Sequence, residues 1–253
     1  MKKIDEVTLN QLPFQSKDKL SYKHVINDIK NVVNDTYSVG NIFIYADEKN
    51  KNLVSIITIN CSAINILKYN EDVKPALMLT DSYNKNVSFK LAVGGYIVED
   101  NTCMITDPNI CFKRHTKNIE NNVHESIIRK VKAITNIYMN LDNSLNSMKV
   151  VSLSMNQQQF ILNAMLNSKL KIISESNYKL LMKKATELNC NVLCWDFYKD
   201  CLRVLNKNSS PTRILALKRF HLLITACLNK IVNLTQPDFY EPNIFDNLDI
   251  TFD

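Results

Sequence analysis

Four residues in the middle of the chain have the types that a zinc ion takes: Cys103, Cys111, His115 and His124. Their spacing is Cys-x7-Cys-x3-His-x8-His. Structural zinc sites hold ligands in close pairs, roughly two to five residues apart, on tight knuckles. Only Cys111 and His115 approach that spacing, and they fall at the end of a predicted strand. Cysteines packed in strands and a polar edge histidine fit the pattern better, so no metal and no other cofactor is expected. Cys190, Cys194 and Cys201 form a second group. Cys194 and Cys201 lie on an apolar helix beside Trp195 and Leu202, where a thiol behaves as a small hydrophobe. His24, His115, His124 and His221 each have general-base chemistry, but a base needs a nucleophile and an orienting group beside it. His221, between Phe220 and Leu222, reads as a satisfied core histidine. Glycine is confined to Gly40, Gly94 and Gly95, which excludes glycine-rich phosphate loops. No compact carboxylate cluster of the two-metal kind appears before residue 236. The expectation is a binding protein without catalysis.

The basic residues carry the stronger signal. Lys113, Arg114 and Lys117 surround His115, and Arg129, Lys130 and Lys132 follow on the next predicted helix. Upstream, Lys85 and Lys90 flank Phe89, with Tyr83 at the same turn. Cations interleaved with aromatics suit a single-stranded nucleic acid, because cations meet phosphates and rings stack on bases. Arg114, His115, Lys117, Arg129, Lys130 and Lys132 would form the phosphate-contacting edge, and Tyr83 and Phe89 would stack. The competing reading is a solvated surface, the usual fate of lysines on helices.

The charge distribution is split. Residues 236–253, QPDFYEPNIFDNLDITFD, hold five acids (Asp238, Glu241, Asp246, Asp249 and Asp253) and no Lys or Arg. The rest of the chain therefore carries 31 basic against 20 acidic residues. A strongly basic body suits a polyanion. An acidic C-terminal tail with spaced apolar residues suits a basic partner or the body itself. Phe239, Tyr240, Phe245, Leu248, Asp249, Phe252 and Asp253 are its candidate contacts. The alternative is a tail packed on the body through its apolar side chains. Its ending resembles in style the acidic tips of bacterial single-stranded-DNA-binding proteins, over a few residues and without their terminal Pro-Phe.

Composition frames these motifs. At 253 residues and 45% hydrophobic content the chain can build a real core. Abundant Asn, Lys and Ile match an AT-rich genome. No stretch approaches the roughly 20 apolar residues of a membrane helix. The opening MKKIDEVTLNQLPF has no apolar run behind its lysines, so a signal peptide is not expected. Seven cysteines, mostly in apolar segments, read as reduced thiols of a cytoplasmic protein.

The elements that must position these residues divide at about residue 118. Residues 1–20 read as irregular. A helix is predicted over Tyr22–Asn34. Strands are predicted over 41–46, 53–60, 76–80, 87–93, 96–98, 103–106 and 110–114; 62–69 reads as a short helix, with a strand as the alternative. Turns are read at 47–50, 81–84, Gly94-Gly95 and 107–109. Helices follow over 120–141, 156–167, 176–188, 195–205 and 211–234, the last capped by Ser209 or Ser210. The fold class is α+β: a mostly antiparallel sheet in the N-terminal half packed with a C-terminal helical half. The expected organisation is 1–118 and 119–235 in one compact domain, followed by the tail 236–253.

Residues 75–117 then carry a resemblance. Leu77–Thr80, the turn Asp81-Ser82-Tyr83-Asn84-Lys85-Asn86, the strand Ser88–Val93 and the triplet Arg114-His115-Thr116 recur in order. Trp195-Asp196-Phe197-Tyr198 follows. The pattern resembles an uncharacterised family encoded by phages and plasmids, a domain of unknown function in mobile elements, over roughly residues 75–205. Tyr83 and Lys85 stand where that family has His and Gly, and Asn101-Thr102-Cys103 inverts its Cys-x-Asn. The resemblance implies a host-cytoplasmic bacteriophage or plasmid setting near DNA metabolism, and no activity. Two functions follow as expectations. The first is a nucleic-acid-binding protein for single strands, accessory to replication or recombination, with a protein partner on the tail. The alternative is a phage protein-interaction module that binds a host factor or virion protein. Neither involves a membrane, and both leave the oligomeric state open.

Overall fold

The computed structural model describes residues 2–4, 21–46, 52–60, 72–82, 88–114, 116, 118–167, 172–188, 190–207 and 213–233. Nine strands are described: β1 Lys2–Ile4, β2 Ser38–Ala46, β3 Asn52–Asn60, β4 Val73–Ser82, β5 Phe89–Ile97, β6 Thr102–Ile105, β7 Cys111–Lys113, β8 Ser152–Leu153 and β9 Val192–Leu193. The helices are α1 Tyr22–Asn34, α2 Ile119–Val150, α3 Met155–Asn167, α4 Glu175–Leu188, α5 Cys194–Lys207 and α6 Arg213–Asn233. The architecture is the expected α+β, an antiparallel sheet followed by helices.

The sheet is a meander in the order β1-β2-β3-β4-β5-β6, with β7 also on β5. Every neighbouring pair is antiparallel. β6 pairs with Gly94–Ile97 and β7 with Phe89–Leu91. Together they make one interrupted edge strand. The hairpin from β5 to β6 turns through Asn101, whose φ of 50 lies in the left-handed region that Asn tolerates. Every residue of β5 is buried, so that strand is covered on both faces. A strand buried on both faces loses polar alternation and reads as a continuous apolar run.

α1 and α3 begin where the sequence supplies a side-chain cap. Ser21 caps α1 by accepting from the His24 N–H at 3.3 Å. Val25, Ile26, Ile29 and Val33 then fall on one face and are buried, each contributing roughly 1.5–3 kcal/mol. Ser154 and Gln157 form a reciprocal capping box at α3. α2 packs on α1, β5 and β7, while α5 and α6 pack on β6. The helical half thus docks at the β5–β6–β7 end of the sheet.

Two readings of the sequence are corrected here. Residues 1–20 are not irregular throughout, because Lys2–Ile4 pairs with Ile44–Ala46. Gly94 and Gly95 are not a turn. They lie inside β5 and join the two strands predicted over 87–93 and 96–98. The glycines are there for close approach: a Cβ on Gly94 would sit 1.9 Å from the Met104 carbonyl oxygen. Beside it the Ala76 N–H donates to the Tyr138 hydroxyl at 2.6 Å, and that hydroxyl donates to the Gly94 carbonyl. The α2 tyrosine is therefore wedged into the β4–β5 ladder.

The predicted helix over 62–69, the turn at 47–50, residues 83–84 of the turn at 81–84, and the Ser209 or Ser210 cap lie outside the described residues; Asp81 and Ser82, read as the start of that turn, instead end β4. No helix among the described residues is long and apolar enough to cross a membrane.

Candidate nucleic-acid interface

The interruption between β6 and β7 is where charged side chains converge. Opposite Val93 the edge strand loops out through Asp107-Pro108-Asn109, as at a bulge. The backbone N–H groups of Thr106 and Asp107 both donate to the Val93 carbonyl. The Asp107 carboxylate is buried. It accepts from the Val93 N–H at 3.1 Å and from the Asn109 N–H at 2.9 Å. Lys130 of α2 reaches the same carboxylate at 2.6 Å and also donates to the Asn109 carbonyl. Lys218 of α6 donates to the Pro108 carbonyl. Two helices far apart in sequence thus place their ammonium groups on adjacent carbonyls of one loop.

Several cations act on one another there. Burial is the main cause of a lowered Lys218 pKa; nearby Asp107 opposes it, and Lys130 and Arg219 add to it. Asp107 is thus one acid facing Lys130, Lys218 and Arg219. The loop leads directly into β7, with Lys113 half-buried and Arg114 exposed. On α2, Arg129 and Lys132 flank Lys130 in sequence and are both exposed. Arg114, Arg129 and Lys132 make no ion pair among the described residues. Elsewhere the pattern differs: Lys184 pairs with Asp200, Lys199 with Asp196, and Arg203 with both Asp100 and Asp200.

The residues predicted from sequence separate on this geometry. Lys113 is on β7 and Arg114 follows it, while Arg129 and Lys132 are exposed on α2, about 100° and about 200° around the helix from Lys130. Lys130 is engaged with Asp107, with only 11% of its side chain exposed. It holds the loop, so its role as a free phosphate contact is corrected. Phe89 is 0% exposed and is removed as a stacking residue. Lys90 is buried as well, and desolvation lowers its pKa. Tyr83, Lys85, His115, Lys117 and every tail contact from Phe239 to Asp253 lie outside the described residues.

Sequence reasoning missed Asp107, Lys218 and Arg219, and it missed Phe112. Phe112 is 43% exposed on β7, with the Lys90 ammonium 5.9 Å from its ring centre. The register sets Phe112 opposite Lys90, one step beyond the Phe89–Lys113 pair. It is the ring that faces outward at the basic edge. The triplet Cys111-Phe112-Lys113 was legible as a strand, but which side its ring faces was not.

The cysteines and histidines weighed above are spread over several elements. Cys103 is on β6, Cys111 on β7, and Cys194 and Cys201 on α5. His124 Nδ1 lies 2.8 Å from Asp28 Oδ1, linking α2 to α1. His221 is buried, with Nδ1 3.0 Å from the Tyr198 hydroxyl. Burial lowers its pKa to about 4. No group of three or more metal-ligating side chains forms among the described residues.

No protein-family model, curated protein or solved structure matches the chain.

Proposed function

We propose that the protein binds nucleic acid, preferentially single strands, through the basic edge formed by β7, the third and fourth turns of α2 and the start of α6. Arg114, Arg129 and Lys132 contact phosphates. Lys218 supports the same path, and Phe112 offers a ring for a base. Asp107 and Lys130 shape the loop that carries the edge. The observation that supports this most is the contrast in pairing. Arg114, Arg129 and Lys132 make no ion pair among the described residues, while Lys184 of α4 and Lys199 and Arg203 of α5 are matched with acids. Solubility alone does not require that concentration.

The mobile-element setting, with a role accessory to replication or recombination in the host cytoplasm, rests on the motifs at 75–117 and 195–198. It is part of the same proposal, as is the absence of catalysis. A second reading has one observation in its favour. Leu180 and Leu188 on α4 are each 49% exposed, as a protein-docking helix would present them.

The test is titration of a labelled single strand of about 30 nucleotides over a salt series. The proposed function requires binding at about 50 mM salt and a linear fall of log affinity with log salt. Absence of binding there leaves the protein-interaction reading.

A further inference from the structure

We propose that the acidic segment 236–253 competes with nucleic acid for this basic edge, so that the chain carries its own inhibitor. The inference rests on the proposed function and adds its regulation. Charge is the first argument: five acids without a base, against Arg114, Arg129, Lys132 and Lys218. Chemistry is the second. Acids in the segment alternate with Phe239, Ile244, Phe245, Leu248, Ile250 and Phe252. The edge likewise sets an exposed ring, Phe112, beside its cations.

Reach is the third argument, and it discriminates among the acids. α6 begins near the edge and ends at Asn233. From Lys218 to Asn233 the helix rises about 22 Å. A chain returning from Asn233 spans at most about 17 Å by Asp238 and about 27 Å by Glu241. By Asp246 it spans at most about 44 Å, about twice the distance back to Lys218. Asp238 falls short of Lys218 and Glu241 reaches it only when almost fully extended, whereas Asp246, Asp249 and Asp253 reach it with slack and are therefore the competing acids.

The experiment uses the full chain. Asp246→Asn, Asp249→Asn and Asp253→Asn are combined, and binding to a single strand is compared with wild type. The expected result is tighter binding, on the order of tenfold at about 50 mM salt, with the gain vanishing as salt screens the contacts. Asp238→Asn with Glu241→Gln should change affinity less. A labelled peptide of residues 236–253 should bind the triple-Asn chain and release with salt. It should not bind when Arg114→Ala, Arg129→Ala and Lys132→Ala are added. Unchanged nucleic-acid affinity in a folded triple-Asn chain overturns the proposal, as does a peptide that does not bind. A triple-Asn chain that melts far below wild type also overturns it, because the acids would then be structural. If peptide binds and nucleic acid does not, the docking stands and the nucleic-acid function falls.

Discussion

Two of the regions in which the protein buries ionisable groups treat them oppositely. At the sheet edge Asp107 meets Lys130 at 2.6 Å and three hydrogen-bond donors fill its carboxylate. Between α5 and α6, by contrast, the groups are kept neutral. Tyr198 is stacked between Trp195 and Phe220, with ring centres 5.8 and 4.8 Å away. Burial, with Cys194 and Cys201 beside it, raises its pKa well above that of a free phenol. Burial also pushes Cys194 up to about 12 and Cys227 to about 11, and His221 down to about 4. The first region borders cations that make no ion pair among the described residues; the second borders cations already engaged, with Lys149 and Lys199 over the Trp195 ring and Lys184 paired with Asp200. A buried ion pair at a surface edge can hold a charged loop in place; a dry aromatic cluster can only hold helices together.

The largest effect that would break this comparison comes from Asp107→Ala. It strands Lys130 beside a loop that has lost its acceptor. Removing one partner of a buried pair costs roughly 3–5 kcal/mol. Denaturant unfolding measures it, and a loss below 1 kcal/mol, roughly the ceiling for exposed pairs, would make the pair an ordinary surface contact.

The helical core responds to pH instead. His221 takes up its proton near pH 6.5 when unfolded and near 4 when folded. Between those values the unfolded chain binds more protons, so stability falls as pH drops through that window. The histidine's share of the loss is about 3 kcal/mol by pH 4. Subtracting the pH profile of His221→Leu from that of wild type isolates it. Identical slopes would show that the imidazole is not shielded.

A smaller effect tests the sheet beside the loop. Gly94→Ala places a methyl against the Met104 carbonyl, which as backbone cannot swing aside. Overpacking of this kind costs typically 1–3 kcal/mol. A neutral substitution would mean that β6 can slide along β5.

How much of this could be read from sequence depended on whether the signal was local. Tyr22–Asn34 was legible to the residue because Ser21 caps it and its apolar residues recur at three and four. α2 was legible to Leu141, but it runs on to Val150. Its last turns hold Asn143, Ser144, Asn146 and Ser147, which disfavour helix interiors. Leu145 and Met148, both 0% exposed, hold those turns against the core. The serine hydroxyls fold back onto carbonyls four residues earlier. Gly94-Gly95 imitates a turn unless the wedged Tyr138 is known. At the site, the cations 113, 114, 129 and 132 were visible as clusters. Neither the capture of Lys130 by Asp107 nor the arrival of Lys218 from α6 has a local signature. Phe89 was misjudged because a strand buried on both faces gives no alternation to orient its rings.

The central claim concerns the cations without ion pairs, and one measurement addresses it most directly. Arg114→Ala, Arg129→Ala and Lys132→Ala are combined and compared with wild type in the salt dependence of single-strand binding. Exposed substitutions of this kind should shift stability by no more than about 0.5 kcal/mol each. If the three contact phosphates, the slope of log affinity against log salt flattens by about 0.7 for each, or about 2 in total. A wild-type slope retained by the triple variant would contradict the account.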